Sequence, residues 1–331
     1  MEKREFGKSG LMGSVLGLGT FAMGGGHWWG DFDEDLAVET ITRLPEAGIN
    51  TLDTAPIYGL GRSEEIVGRA LKKMKREDII ITTKCGNWWH DVRGSRIPRL
   101  MYDVPMFKAL DRSTIKAECD MSLKRLGVDY IDLYYTHSQV IPPVMTTIEE
   151  TMDALNELKK EGKILAIGAG NVNMDHLREY VKWGQLDMIQ NQYSMLHREI
   201  EAEIVPFCIE HNISIQTYSV LEKGLLSGRY KRDNVVPKGD IREESKWFLP
   251  ENIGIILDMI DGWKDLCEKY ECTLADLAIA WTKQQPGITN VLVGARKPNH
   301  MLENARGGEI VLSDEDVARI TKDVETKTAD K

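Results

Sequence analysis

The chain has 331 residues, 42% of them hydrophobic, and a formal net charge of −10. That supplies enough apolar material for a large buried core, and the acidic balance excludes a general affinity for nucleic acid or anionic membrane. The five cysteines, Cys85, Cys119, Cys208, Cys267 and Cys272, are odd in number and contain no Cys-x-x-Cys, the pattern of reduced thiols in a cytoplasmic protein; no apolar h-region follows Met1 and no run of about 18 apolar residues occurs, so neither export nor a membrane span is expected.

In chain order, Glu5 to Ser14 is expected to form a hairpin centred on Lys8-Ser9-Gly10 that plugs one end of the fold. Short apolar runs then alternate with amphipathic stretches. Val15 to Gly19 precedes a helix over Asp35 to Ala47, Thr51 to Asp53 precedes Ser63 to Leu71, and Ile79 to Lys84 precedes Ser113 to Leu126. Tyr130 to His137 is followed by Ile148 to Glu161, where Thr147 and Glu150 have capping-box spacing. Ile164 to Ala169 leads to Met174 to Gly184, and Met188 to Gln190 leads to Glu203 to His211. Ser214 to Ser219 precedes helices near Ile253 to Tyr270 and Thr273 to Gln284, and Val291 to Val293 precedes Asn299 to Ala305. Ser313 to Glu325 is an extra terminal helix, with Ser313 and Asp316 again at capping-box spacing.

Eight strand–helix units imply a parallel sheet, and eight fit a closed barrel better than an open doubly wound sheet. The expected fold is an α/β (β/α)8 TIM barrel, with no linker or boundary dividing residues 1–331. Three long connections, Thr20 to Phe32, Cys85 to Arg112 and Leu221 to Asn252, follow strands and therefore lie at the C-terminal mouth, the face that carries the site in barrel enzymes.

Polar residues stand where three successive strands end: Asp53, Lys84 and His137, with Tyr58 five residues past Asp53. Consecutive strands in such an array are neighbours about 4.8 Å apart, so the four side chains share one small site. A phenol with an ordinary pKa of about 10 is a poor proton donor near neutrality. A lysine cation beside it stabilises the phenolate, Asp53 would hold that lysine, and His137 could bond the phenol or orient a substrate oxygen. Each residue has a plainer alternative: an ion pair, a packed loop aromatic, a satisfied core histidine. Their convergence favours proton transfer to a carbonyl.

From Arg4 to Asn304 the chain resembles the aldo-keto reductase superfamily. The matching stretches are Leu16-Gly17-Leu18-Gly19-Thr20, Asp53-Thr54-Ala55-Pro56-Ile57-Tyr58-Gly59, Gly61-Arg62-Ser63-Glu64-Glu65, Thr83-Lys84, Ser122-Leu123-Lys124-Arg125-Leu126, Asp129-Tyr130-Ile131-Asp132-Leu133-Tyr134, Gln190-Asn191-Gln192-Tyr193 and Gly294-Ala295-Arg296-Lys297-Pro298. The last is most similar to bacterial reductases of inositol operons. The resemblance implies an NADPH-dependent oxidoreductase that interconverts an aldehyde or ketone and its alcohol, with Asp53, Tyr58, Lys84 and His137 as tetrad and Tyr58 as general acid. It also implies cofactor contacts at Gly19, Thr20 and Asp53. The nicotinamide amide would lie on Asn171 and Gln190, with Tyr218 stacked on the ring and Ser219, Leu221 and Lys223 around the pyrophosphate. Gly294, Arg296, His300, Glu303 and Asn304 would take the adenosine end. Arg296 is the candidate for the 2′-phosphate, because a guanidinium binds phosphate through a fork. Where the family usually has Ser-Asn, this chain has Gly170-Asn171, so one hydroxyl contact to the carboxamide is expected to be missing.

The mouth loops carry Trp28, Trp29, Trp88, Trp89 and Trp247, expected together with His137 to rim the opening and to suit a sugar, polyol or aromatic carbonyl; packing of the loops on themselves is the competing role. His27 and His90 lack metal-ligand spacing, and no metal is expected. The partner is a small-molecule carbonyl or polyol, with a homo-oligomer compatible. The other function class is an NADPH-binding regulatory subunit, as in the potassium-channel beta subunits that resemble the same family; cofactor retained with very slow turnover would mark it, and an intact tetrad argues against it.

Overall fold

A computed structural model describes residues 1–26, 29–98, 103–329 and 331. Eight parallel strands close into a barrel: β1 (Leu16–Gly19), β2 (Thr51–Asp53), β3 (Ile80–Cys85), β4 (Ile131–Thr136), β5 (Ile164–Gly170), β6 (Met188–Gln192), β7 (Ser214–Tyr218) and β8 (Ile288–Gly294) follow one another around it, and β8 pairs with β1. Most residues of these strands are buried. Along β3, Ile81 and Cys85 join the large core between barrel and helices, while Thr82 and Lys84 turn inward to Asp53. Period-two alternation thus separates the core from the site.

The helices are α1 (Glu34–Thr42), α2 (Arg62–Leu71), α3 (Arg112–Leu126), α4 (Ile148–Lys160), α5 (Met174–Trp183), α6 (Ile204–His211), α7 (Pro250–Asp261), α8 (Lys264–Lys269), α9 (Leu274–Lys283), α10 (Pro298–Gly307) and the terminal α11 (Asp314–Thr328). Two expected helices are shorter than the apolar periodicity implied. The first stops at Thr42, and Leu44–Ala47 continues as a 3-10 turn with Pro45 in its first turn, because proline has no N–H for an α-helical bond. The stretch to Tyr270 breaks between Asp261 and Lys264. The last strand, in contrast, starts three residues earlier than expected, at Ile288.

The N-terminal hairpin pairs Lys3–Glu5 with Met12–Ser14 and closes the barrel floor. Phe6 and Leu11 pack there against Ile80, Leu133, Tyr135, Ala166 and Met188. The expected plug and terminal helix are both present. At the mouth, the connection after β3 holds a small antiparallel sheet, Asn87–Trp88, Phe107–Lys108 and Ser95–Arg96, with Phe107–Lys108 in the centre. Two-residue strands are too short to leave a pattern in the sequence. Among the described residues, no helix is long and apolar enough to cross a membrane.

Candidate active site

The ends of β1, β2, β3 and β4 stand in register, with Gly19 opposite Asp53, Asp53 opposite Thr82, and Lys84 opposite Tyr135. Lys84 is 1% exposed and Asp53 3%. The Lys84 ammonium donates to Asp53 Oδ1 at 2.8 Å and Oδ2 at 2.9 Å, to the Thr54 carbonyl at 2.8 Å, and to the Tyr58 hydroxyl at 3.3 Å. Burial pushes the Lys84 pKa below its ordinary value, opposed by the Asp53 charge and hydrogen bond. Asp53 Oδ2 also accepts from Thr82 Oγ1 at 2.6 Å and Gln190 Nε2 at 2.8 Å, so the carboxylate that holds the lysine is itself fixed.

Tyr58 is half-buried. Its ring meets His137 edge-on, with centroids 6.0 Å apart, and Phe21 at 4.9 Å. Burial, then the charges of Lys84 and Lys108, drive the His137 pKa well below the ordinary value, so this imidazole is neutral and keeps one N–H to donate. The structure thus brings all four tetrad residues together.

Several participants escaped the sequence. Thr82 is one. Gln216 and Asn290 are others: Gln190 Nε2 donates to Gln216 Oε1 at 2.6 Å, Gln216 Nε2 to Asn290 Oδ1 at 2.8 Å, and Asn290 Nδ2 to the Ser14 carbonyl at 2.7 Å. Lys108 is a further one. It donates to Asn87 Oδ1 at 2.6 Å and to the Ser138 hydroxyl, spanning the ends of β3 and β4 beside His137, and burial pushes it down to about 8. Its only signal in the sequence was a lysine in the apolar segment Met106 to Leu110.

Past the end of β5, Asn171 is exposed with φ +53°. Its Nδ2 donates to the His137 carbonyl at 2.8 Å, and its Oδ1 accepts from the Tyr218 hydroxyl at 2.6 Å. Tyr218, half-buried, is pushed up to about 12 by burial. The next segment is bent by positive φ at Ser219, Glu222 and Lys223, a conformation rare outside glycine and typical of ligand-binding turns. Leu221 opens its 3-10 turn. Gly294 and Arg296 follow β8. Arg296 Nη1 donates to the Trp29 carbonyl at 2.9 Å, and Glu303 is ion-paired with Arg229 from the long loop after β7. Burial lowers the His300 pKa. His300 and Asn304 are half-buried on α10, whose N-terminus at Lys297 and Pro298 has no side-chain cap. Thr20 has a more structural place: its hydroxyl bonds the Asp53 carbonyl at 2.9 Å and Ser63 Oγ at 2.7 Å, tying the ends of β1 and β2 together.

The expected tryptophan rim needs correction. Trp88 is 3% exposed and packs with Phe107 and Ala109 inside the small sheet, its Nε1 donating to Asp91 at 2.9 Å. Trp247 is 2% exposed in the main core, and its indole N–H meets His197 Nε2 at 3.3 Å. Both rings stabilise the loops that carry them. Trp29 packs edge-on against Phe21 at 5.6 Å, one ring removed from Tyr58, and Trp89 joins Tyr58 on the cluster of Ala55, Ile57 and Met106. His27 and Trp28 lie outside the described residues. Among the described residues, no three metal-ligating side chains come together.

The family model described as "Aldo/keto reductase family" matches residues 15–325. The chain is 46% identical over 317 residues to the "NADH-specific methylglyoxal reductase" of Escherichia coli (strain K12), covering 96% of each chain. It is 30% identical to a "probable voltage-gated potassium channel subunit beta" of Arabidopsis thaliana, over 94% of this chain and 92% of that one. Among solved structures, the glycerol dehydrogenase from Gluconobacter oxydans superposes with a TM-score of 0.87 at 32% identity, over 99% of this chain and 96% of that chain.

Proposed function

The chain belongs to the aldo/keto reductase family, and on that premise we propose that Tyr58 is the general acid/base of a carbonyl reductase whose proton chemistry is set by Lys84. The observation that carries this is the 3.3 Å bond from the Lys84 ammonium to the Tyr58 hydroxyl, with Lys84 held on both oxygens of Asp53. A fixed cation bonded to the phenol stabilises the phenolate left after the proton moves to the substrate oxygen. Asp53 positions Lys84. Neutral His137 donates to the same oxygen and fixes its approach to Tyr58. In the reverse direction Tyr58 takes the proton from an alcohol.

The donor set fits a nicotinamide dinucleotide. Asn171 retains one amide hydrogen beyond its bond to His137, and Gln190, whose two N–H groups go to Asp53 and Gln216, retains its carbonyl oxygen. Together they offer the donor and acceptor that a carboxamide needs, with Tyr218 beside them as a stacking face. The bound dihydronicotinamide supplies the hydride. Ser219, Leu221 and Lys223 would surround the pyrophosphate. Gly294, Arg296, His300, Glu303 and Asn304 would take the adenosine end, with Arg296 and His300 on a 2′-phosphate. This favours NADPH, in contrast to the relative named as NADH-specific.

The relatives favour a small, oxygen-rich carbonyl: a 2-oxoaldehyde, as the name of the E. coli relative states for that protein, or the oxidised form of a polyol, as for the Gluconobacter enzyme. A cytoplasmic setting fits five unpaired cysteines. The test is oxidation of NADPH and of NADH across 2-oxoaldehydes, aromatic aldehydes, keto-sugars and keto-inositols. Turnover on one class, lost in Tyr58→Phe, is the expected result. Cofactor retained through gel filtration with no turnover on any class would overturn it in favour of an auxiliary role like that named for the Arabidopsis relative.

A further inference from the structure

Helix α8 ends in a tight reversal. Glu271 adopts φ +48°, its N–H bonds the Glu268 carbonyl at 3.3 Å, and the Cys272 N–H bonds the Cys267 carbonyl at 2.9 Å. These two nested bonds make a Schellman motif, in which the side chains of the first and last residues face each other. Here those residues are Cys267 and Cys272. A backbone hydrogen bond between them draws their Cα atoms into the span of about 4.4–6.8 Å that a disulfide bridges.

The two thiols act on each other, Cys272 holding Cys267 below the ordinary thiol range and Cys267 holding Cys272 above it. Both are half-buried, whereas Cys85, Cys119 and Cys208 are buried. The chain on the far side is fixed as well. Thr273 caps α9 reciprocally with Asp276, through bonds of 2.9 Å and 3.2 Å. The pair is therefore pre-organised and reachable by small oxidants, on a helix that packs against α9.

We propose that Cys267 and Cys272 are a reversible oxidation site that closes to a disulfide under peroxide. The Cys267 thiolate attacks one peroxide oxygen, the O–O bond breaks, and hydroxide leaves as water with the proton of the original thiol. The sulfenic acid formed is then attacked by the Cys272 sulfur as its thiol proton leaves, and the S–O bond breaks with that proton carried off in a second water. The balance is two thiols plus one hydrogen peroxide to one disulfide plus two waters. Each sulfur loses one electron and each peroxide oxygen gains one. A dithiol reductant reverses it by exchange.

The experiment is titration of the full chain with hydrogen peroxide, followed by a thiol count in denaturant and peptide mass mapping without reductant. Trypsin cuts after Lys269, between the two cysteines, so the disulfide appears as two peptides that separate on reduction. The expected result is loss of two of the five thiols, the 267–272 linked pair, and full recovery with dithiothreitol. Cys267→Ser should abolish the link, and Cys85, Cys119 and Cys208 should stay reduced. An unchanged thiol count, linked peptides through any other cysteine, or irreversible sulfinic acids on Cys267 and Cys272 separately would overturn the proposal.

Discussion

Gly170 packs so closely on the carbonyl of His137 that a Cβ at that position would stand 2.7 Å from the oxygen and 2.9 Å from the Thr136 carbonyl. The serine usual in the family cannot be added to this backbone without moving the end of β4. The glycine sets the approach of β5 to His137, besides offering no hydroxyl. Gly170→Ala and Gly170→Ser are therefore expected to behave alike, each losing about 1–3 kcal/mol through overpacking and roughly 10- to 100-fold in kcat through displacement of His137. Melting curves and steady-state kinetics check this. A serine variant that bound cofactor more tightly than the alanine variant would restore the hydroxyl account.

Tyr58→Phe removes the proton donor and leaves Lys84 on Asp53 and the Thr54 carbonyl. Turnover should fall by about 10²–10⁴ while cofactor affinity, read by fluorescence titration, changes little. Wild-type turnover in this variant would remove Tyr58 from the chemistry.

Lys84→Met leaves the Asp53 carboxylate buried without its counter-charge. Breaking such a pair from one side costs about 3–5 kcal/mol, so urea unfolding should show a large loss. The double variant Asp53→Asn with Lys84→Met should recover much of that stability but none of the activity. Equal stability of single and double variants would show that the charges are not coupled as the geometry states.

Glu118 accepts from the Gly86 N–H at 2.6 Å, while its other oxygen is buried with no hydrogen-bond partner among the described residues. Burial pushes its pKa up to about 8 from an ordinary 4.5; the Gly86 bond opposes the rise, Glu64 adds to it, and Arg125 and Lys108 oppose it. The sign follows from proton binding. Below pH 4.5 both states hold the proton and Glu118 carries no penalty. Between 4.5 and about 8 the unfolded chain releases it and the folded chain retains it, so stability falls as pH rises. Thermal melts at pH 5 and pH 8 should therefore differ less in Glu118→Gln than in wild type. An undiminished difference would place the pH dependence elsewhere.

Arg296→Ala should raise the KM for NADPH more than that for NADH, since a guanidinium–phosphate fork contributes only to the former. The same substitution cuts the bond to the Trp29 carbonyl, so some loss with both cofactors is expected as well. Equal losses would leave Arg296 as a loop anchor alone.

The tetrad was legible because ionisable residues, Asp53, Lys84 and His137, stand together where three successive strands end. Thr82, Gln216 and Asn290 do not stand out, since uncharged polar residues are ordinary in strands, and only closure of the barrel brings them to one another. Lys108 sits on a two-residue strand that no periodicity marks. The tryptophans illustrate a further limit. A loop's sequence does not say whether an aromatic ring faces the cavity or the loop's own core, and Trp88 and Trp247 face the core.

The hydrogen bonds from Asp53 through Gln190, Gln216 and Asn290 to the Ser14 carbonyl form a chain in which every member depends on the next. Replacing one alone strands a donor or acceptor where water cannot compensate it. Change along this chain must therefore arrive as matched pairs, and its sequence space is narrow. The exposed residues of the mouth loops, such as Val92 and Val235, carry no such constraint. Descendants of this barrel, natural or selected in the laboratory, would diversify at the opening while inheriting the interior as a block.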